Sequence, residues 1–262
     1  MVRRQPQMMV LYKVILSYDG TQFYGSQKQR NLRTVQGVLE QALRKIGWSG
    51  TTVRLAGRTD AGVHASGQVA AFDLDWKHPE ENLLRALNSL LPEDLAVRMI
   101  TPAGESFHPR FDAVARRYRY RLLLDPVRNP LAERFAWRIT TDLDMTLVDY
   151  TAKLLVGMRD FGAFGRPVSE KGTTVREVFR AEWQRAGNRL SFEIVANAFL
   201  YHMVRHLVFT QVMVGQGRLT PEQYKYYLEH PDDKPAQGLA PACGLTLEEV
   251  LYARKMDGEK KN

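Results

Sequence analysis

One carboxylate in the sequence stands in a setting that could support chemistry. Asp60 lies in the segment Gly-Arg-Thr-Asp-Ala-Gly-Val-His-Ala at residues 57–65, between two predicted strands. Glycines in such a loop permit unusual backbone angles and the close approach of a ligand. An aspartate flanked by glycines is, however, usually a turn residue that hydrogen-bonds to its own backbone. The spacing alone therefore favours an ordinary turn over a catalytic site.

A second group of interest is a segment in which tyrosines and arginines alternate. Its residues are Arg117, Tyr118, Arg119, Tyr120 and Arg121. In a strand, this alternation places the tyrosines on one face and the arginines on the other. An aromatic face can stack on a nucleobase. The alternative is a strand whose tyrosines pack in a core and whose arginines are solvated, and the residues alone leave both interpretations open.

A third group lies on a later segment that is predicted to be helical. His202, Arg205 and His206 fall at i, i+3 and i+4 and therefore share one face. Two histidines at that spacing can bind zinc, but no glutamate or third ligand has suitable spacing, so we expect no metal site. Arg205 could instead pair with a loop carboxylate. Because no glycine pattern matches a P-loop or a dinucleotide fingerprint, we also expect no cofactor.

The composition indicates a basic globular protein. The 262 residues include 37 lysines and arginines against 29 acidic residues, with a net charge of +8. This charge favours a polyanionic partner, because phosphate neutralisation supplies most non-specific affinity for nucleic acid. No apolar run approaches the roughly 18 residues of a membrane span, and no secretory signal is visible, so we expect a cytoplasmic protein without a membrane segment. Cys243, the single cysteine, is expected to be a small buried side chain.

The elements that must position these groups follow a simple order in the first half. An alternating segment predicts the first strand, and Thr34 is a suitable N-cap for a helix whose apolar residues recur at helical spacing. The expected elements are strand 10–18, helix 35–46, strands 52–56 and 68–75, helix 79–91 and strand 95–101. Their order is β-α-β-β-α-β.

The second half repeats that order, with an extra helix after Thr220 and Pro221. The expected elements are strand 116–124, helix 144–158, strands 174–185 and 189–197, helix 201–215 and strand 245–252. We therefore predict an α+β protein in which the antiparallel sheets of two ferredoxin-like halves join, with the active-site cleft between them. The predicted halves are residues 1–104, which carry the Asp60 loop, and residues 105–262, which carry Tyr118 and Arg205.

Matches to a known family run along nearly the whole chain, and their order and spacing agree. Besides the highly specific segment 57–65, the matching residues are Tyr18-Asp19-Gly20, Phe23, Gly25, Gln27, Gln29, Val35-Gln36, Phe107, Arg110-Phe111, residues 116–120, Asp160-Phe161, Phe164, residues 199–205 and residues 241–245. Together they resemble the tRNA pseudouridine synthase A family. One departure is Ser26, where the family commonly carries a large aromatic residue, and it concerns packing or an RNA contact there and not the chemistry.

The resemblance implies a function, an assembly and a role for each site residue. The family converts uridine to pseudouridine at positions 38, 39 and 40 of the tRNA anticodon stem-loop, without metal or cofactor, as a homodimer. Carried over, Asp60 is the essential catalytic residue and Arg205 the arginine that pairs with it. Tyr118 matches the tyrosine that stacks on the target base and helps to move its proton. Arg58 matches the basic residue involved in base displacement, and Leu245 an apolar residue that lines the pocket.

The chemistry of that reaction suits a single carboxylate. The enzyme must break a C–N glycosidic bond, turn the detached uracil and form a C–C bond without losing the base, so the site must be enclosed. An ionised Asp60 could attack the sugar or the base, or remove a sugar proton, and the sequence does not choose among these routes.

Two other classes of protein explain part of the pattern. A non-catalytic RNA-binding module would account for the positive charge and for Tyr118. It would not account for Asp60 in a basic site, where a carboxylate repels phosphates. A carboxylate glycosidase would need two carboxyl groups that flank the bond, and one aspartate stands out here.

Overall fold

The first half of the chain forms a four-stranded unit with two helices. The computed structural model describes residues 9–167, 172–233 and 238–253. Its first elements are β1 (Val10–Tyr18), α1 (Val35–Lys45), β2 (Arg54–Leu55), β3 (His64–Leu74), α2 (Glu80–Leu90) and β4 (Leu95–Pro102). Strand β1 pairs antiparallel with β4 on one side and β3 on the other, and β2 pairs with β3. The strand order β4-β1-β3-β2 is that of a ferredoxin-like unit.

The second half repeats this arrangement with additions. Its elements are β5 (Ala113–Leu124), α3 (Pro130–Glu133), β6 (Trp137–Ile139), α4 (Met145–Lys153), β7 (Gly157–Asp160), β8 (Val175–Ala186), β9 (Arg189–Ala196), α5 (Met203–Gly215), α6 (Pro221–Glu229) and β10 (Leu245–Tyr252). The order β10-β5-β9-β8 matches that of the first half. Strand β7 extends the sheet beside β8, and β6 pairs with β5.

The two halves join through one pair of strands. Strands β3 and β10 run parallel, with His64 opposite Thr246 and Ala65 opposite Leu247. The pairing makes one continuous sheet and sets the residues just after the Asp60 loop beside the start of β10. The predicted α+β fold with two joined ferredoxin-like halves is confirmed, and the division into domains at residue 104 stays a prediction. Buried apolar side chains form one core that extends under both halves.

Local chemistry explains why the helices form where they do. The Thr34 hydroxyl caps α1 by accepting a hydrogen bond from the N–H of Gly37. Leu39 and Leu43, one turn apart, are fully buried against the sheet. Helix α6 begins with a capping box of Thr220 and Gln223. In the described parts of the chain, no helix has both the length and the apolar character to cross a membrane.

Several boundaries and one burial state differ from the predictions. Helix α4 ends at Lys153, earlier than predicted. Gly157, whose φ of 100° a right-handed helix cannot continue, is already the first residue of β7. Strand β3 begins at His64, inside the expected glycine-rich loop, because pairing with β10 extends it. Helix α5 begins late because His202 has a φ of 64°. Helix α3 and strand β6 had no predicted counterpart, and Cys243 is half-buried instead of buried.

Candidate active site

A cleft of about 1120 Å³ is lined by residues of both halves. It lies where the loop before β3 faces β5, the start of α5 and the start of β10. The five side chains to which the resemblance assigns a role all line it, namely Arg58, Asp60, Tyr118, Arg205 and Leu245. The fold therefore brings the whole predicted set together, while the role of each residue stays a prediction.

Buried polar contacts hold the loop that carries Asp60. The N–H of Thr59 donates to the Ser26 hydroxyl at 2.9 Å, and the N–H of Ser26 donates to the Thr59 carbonyl at 3.0 Å. The Thr59 hydroxyl lies 2.8 Å from the Tyr18 hydroxyl. A Cβ on Gly25 would lie 2.8 Å from the Thr59 carbonyl, and the φ of Gly25 is +87°, so glycine is required there. The loop thus presents Asp60 from a fixed backbone.

The Asp60 carboxylate reaches across to the second half. Its Oδ2 lies 3.3 Å from Nη1 of Arg205 and 3.3 Å from Nε2 of His202. The Nε–H of Arg205 donates to the Ala240 carbonyl at 2.7 Å, which fixes the guanidinium. The Asp60 and Arg205 side chains are 23% and 13% exposed, so the pair is only partly screened by water. An ordinary turn residue would need none of these contacts.

His202 lies beside this ion pair in an unusual conformation. Its φ of 64° is left-handed, which is uncommon for a residue other than glycine and is often seen at functional sites. Burial lowers the pKa of His202, and the nearby Arg205 and His206 lower it further, while the charge of Asp60 opposes them. The imidazole is therefore uncharged at neutral pH and meets the carboxylate as a neutral group.

Tyr118 forms an apolar wall of the cleft. Its ring is 8% exposed and meets Phe199 edge-on, with the ring centroids 4.9 Å apart. Burial raises the pKa of Tyr118 well above its usual value, and the nearby Tyr18 and Asp60 add to this, while Arg116 opposes it. The phenol consequently stays protonated across the physiological range.

The other tyrosine and the arginines of strand β5 are part of the scaffold. Tyr120 is fully buried, and its hydroxyl donates to the Pro241 carbonyl at 2.7 Å. The arginines on the opposite face are not merely solvated, since each is paired with a glutamate. The pairs are Arg117 with Glu249 at 3.0 Å, Arg119 with Glu193 at 2.7 Å and Arg121 with Glu248 at 2.6 Å. Exposed cations line the cleft instead, namely Arg58, Arg110 and Arg166.

Most of the sequence also matches a family model. That model, described as tRNA pseudouridine synthase, matches residues 14–112 and 151–253, which include the Asp60 loop and Arg205. The chain belongs to the tRNA pseudouridine synthase family. It is therefore an isomerase that makes pseudouridine in tRNA, which separates it from the RNA-binding module and the glycosidase considered above.

Individual tRNA pseudouridine synthases resemble this chain along most of its length. The tRNA pseudouridine synthase A of Chloroflexus aurantiacus is 42% identical over 91% of this chain and 87% of its own length. The corresponding enzyme of Geobacter sp. strain M21 is 40% identical over 92% of this chain and 98% of its own length. That of Lacticaseibacillus casei is 40% identical over 93% of this chain and 100% of its own length. A solved archaeal box H/ACA Nop10–Cbf5 complex aligns with 81% of this chain and 46% of its own at 12% identity and a TM-score of 0.38, a likeness too weak to support a conclusion.

Sequence reasoning about this synthase missed two features of the cleft. His202 was considered only as a zinc ligand, although its i, i+3 spacing from Arg205 already placed both on the face that meets Asp60. Phe111 was noted only as a family match, yet its side chain is 75% exposed at the cleft. In the described ranges, no group of three or more histidine, cysteine, aspartate or glutamate side chains could hold a metal ion.

Proposed function

We propose that the enzyme acts on the tRNA anticodon stem-loop at uridines 38, 39 and 40, with Asp60 as its catalytic residue. The observation that carries the proposal is the 3.3 Å ion pair between Asp60 and Arg205 in a cleft built by both halves. A carboxylate in a basic cleft weakens the binding of RNA phosphates. A role in the chemistry would explain why Asp60 is placed there. The choice of positions rests on the resemblance to the synthase A family.

The reaction needs a charged group beside the sugar and the base of one uridine. The C–N glycosidic bond breaks, the uracil turns within the site, a bond forms between ribose C1′ and base C5, and the C5 proton leaves. An ionised Asp60 can start this by attacking the sugar or the base, or by removing a sugar proton. Arg205 and His202 both contact Oδ2, so they orient the carboxylate and leave Oδ1 for the reaction.

Tyr118 is proposed to stack on the target uracil and to help move the C5 proton. Its ring offers an apolar surface in the cleft, and base–aromatic stacking contributes about 1–3 kcal/mol. Because burial raises the pKa of its phenol, Tyr118 enters the reaction as a neutral hydroxyl. A neutral phenol is a weak base, so we expect it to act as a relay that passes a proton on while it accepts another. Leu245, buried at the start of β10, would close the apolar side of the site.

A paired uridine must leave the stem before it can reach Asp60. Extrusion costs a few kcal/mol, which stacking on Tyr118 would partly offset. Arg58 is exposed on the same loop as Asp60, where it can fill the vacated space. The exposed Arg110 and Arg166 would contact phosphates, which positions RNA without reading its bases.

The resemblance also supplies the assembly. We propose that the enzyme works as a homodimer in the cytoplasm, where its tRNA substrate is used. Light scattering coupled to size-exclusion chromatography would give a mass near twice 30.0 kDa for the dimer. A mass near that of one chain would contradict this part of the proposal.

Tritium release from uridine C5 tests the choice of positions. Three stem-loop RNAs would each carry one tritiated uridine, at position 38, 39 or 40, and a control RNA would carry it in the stem outside these positions. We expect release from the three substrates and none from the control, because bond formation at C5 displaces the hydrogen there. Release from the control alone would refute the proposed positions.

A further inference from the structure

An exposed aromatic ring lines the cleft without packing into the core. The Phe111 side chain is 75% exposed, although a phenylalanine is usually buried or half-buried. It lies in the short turn before β5 and lines the same cleft as Asp60 and Tyr118. An apolar ring left in water contributes nothing to stability through burial, and its place on the wall of the cleft makes it available to a ligand.

The turn that carries Phe111 is held by many contacts. The N–H of His108 donates to the Asp112 carboxylate at 2.9 Å, and the N–H of Asp112 donates to the His108 carbonyl at 3.1 Å. Nδ1 of His108 accepts from the N–H groups of Arg110 and Phe111 at 3.2 and 3.3 Å. The Arg116 guanidinium donates to the Arg110 carbonyl at 2.7 Å. The ring is therefore presented by an ordered backbone.

The Phe111 ring is supported by a neighbouring ring, and most of the residue is exposed. The His108 ring packs against it with centroids 4.3 Å apart and an angle of 31° between the planes. The guanidinium carbon of Arg110, an exposed residue, lies 5.8 Å from the ring centroid. A supported, largely exposed ring beside a cation is the combination that binds single-stranded nucleic acid, where bases stack on aromatic rings and cations contact phosphates.

We propose that Phe111 is a stacking platform for an unpaired nucleobase of the RNA substrate other than the target uridine, with Arg110 on a neighbouring phosphate. The inference rests on the proposed function, which supplies RNA in the cleft and assigns the target base to Tyr118. The occupant is unpaired because a base within a stem has both faces covered by its neighbours. Stacking tolerates any base, so the platform would hold the RNA while different uridines enter the site.

Binding measurements with Phe111 variants test the platform. The RNA would be an anticodon stem-loop with the fluorescent adenine analogue 2-aminopurine at one loop position at a time, because its emission is quenched when it stacks. We expect Phe111→Ala to weaken binding about fivefold to a hundredfold and to remove the quenching at one position. Phe111→Trp should retain both, and Phe111→Leu should behave like Phe111→Ala. Phe179→Ala, at a 49% exposed phenylalanine on β8 outside the cleft, is the matched control.

The result separates this inference from the proposed function. If Phe111→Ala and Phe111→Leu bind and quench like the unaltered protein while tritium is still released from positions 38–40, the platform is refuted and the function stands. If the alanine variant loses affinity and quenching while the unaltered protein modifies other positions, the platform stands and the proposed positions fall.

Discussion

Replacing Arg205 with methionine tests the ion pair at the centre of the site. Methionine keeps much of the apolar stem of Arg205 and removes the cation that lies 3.3 Å from Asp60. It also removes the hydrogen bond to the Ala240 carbonyl. Asp60 would then keep His202 as its neighbour from the second half and would lose both its fixed orientation and its counter-charge.

The size of the effect follows from the separation and the burial. At 3.3 Å, Coulomb's law gives about 5 kcal/mol with an effective dielectric constant of about 20. The pair is partly exposed, so the net value is closer to the 1.5–3 kcal/mol of a hydrogen bond between charged groups. If the transition state depends on this interaction, its loss in Arg205→Met should lower kcat about tenfold to a hundredfold.

Single-turnover tritium release at saturating RNA measures this loss without the binding step. Arg205→Lys should fall between the methionine variant and the unaltered protein, because a lysine keeps the charge but cannot contact Ala240 and Asp60 at once. Arg185→Met, which breaks an ion pair with Asp142 outside the cleft, is the control and should leave the rate unchanged. A methionine variant that folds and reacts at the normal rate would refute the role of Arg205.

Three further outcomes are expected. Burial holds the pKa of His202 below its usual 6.5. As the pH drops through that pKa, His202 becomes a second cation beside Asp60, and activity should fall. The His202→Gln variant should lack this part of the pH–rate profile. Ser26→Ala leaves the N–H of Thr59 without its acceptor and should lower the free energy of unfolding, measured by urea titration, by about 1–3 kcal/mol. Tyr118→Phe should lower kcat about 10²–10⁴-fold with little change in RNA affinity, while Tyr118→Leu should weaken affinity as well.

Each of these outcomes has a clear opposite. An unchanged pH–rate profile in His202→Gln would mean that the histidine does not titrate against Asp60. Equal unfolding midpoints for Ser26→Ala and the unaltered protein would mean that the contact to Thr59 adds nothing to stability. A normal kcat in Tyr118→Phe would mean that the hydroxyl takes no part in the proton transfer and that Tyr118 acts by stacking alone.

Local patterns in the sequence predicted the elements well where they are regular. The alternation in β1 gave its bounds, and the N-cap Thr34 gave the start of α1, because both signals depend on neighbouring residues only. The end of α4 and the start of α5 were misplaced, because a left-handed residue at Gly157 or His202 leaves no periodic signal. The fold class followed from the order of elements alone.

The assembly of the site could not be derived from local pattern. The parallel pairing of His64 with Thr246 joins residues far apart in the chain, and it brings the loop of Asp60 to the second half. Spacing alone therefore favoured a turn for Asp60, and the family resemblance placed it in a site. The helical spacing of His202 from Arg205 placed the two side chains on one face, but their contact with Asp60 depends on tertiary packing. The exposure of Phe111 also depends on tertiary packing, and no sequence spacing encodes it.

The central claim, that Asp60 starts the isomerisation of uridine in tRNA, is tested most directly by Asp60→Asn in the same tritium assay. Asparagine keeps the shape of the side chain and removes its charge, so the variant should fold and bind the anticodon stem-loop at least as tightly as the unaltered protein. We predict no tritium release above the level of RNA alone. Release at a rate comparable to that of the unaltered protein would contradict the account.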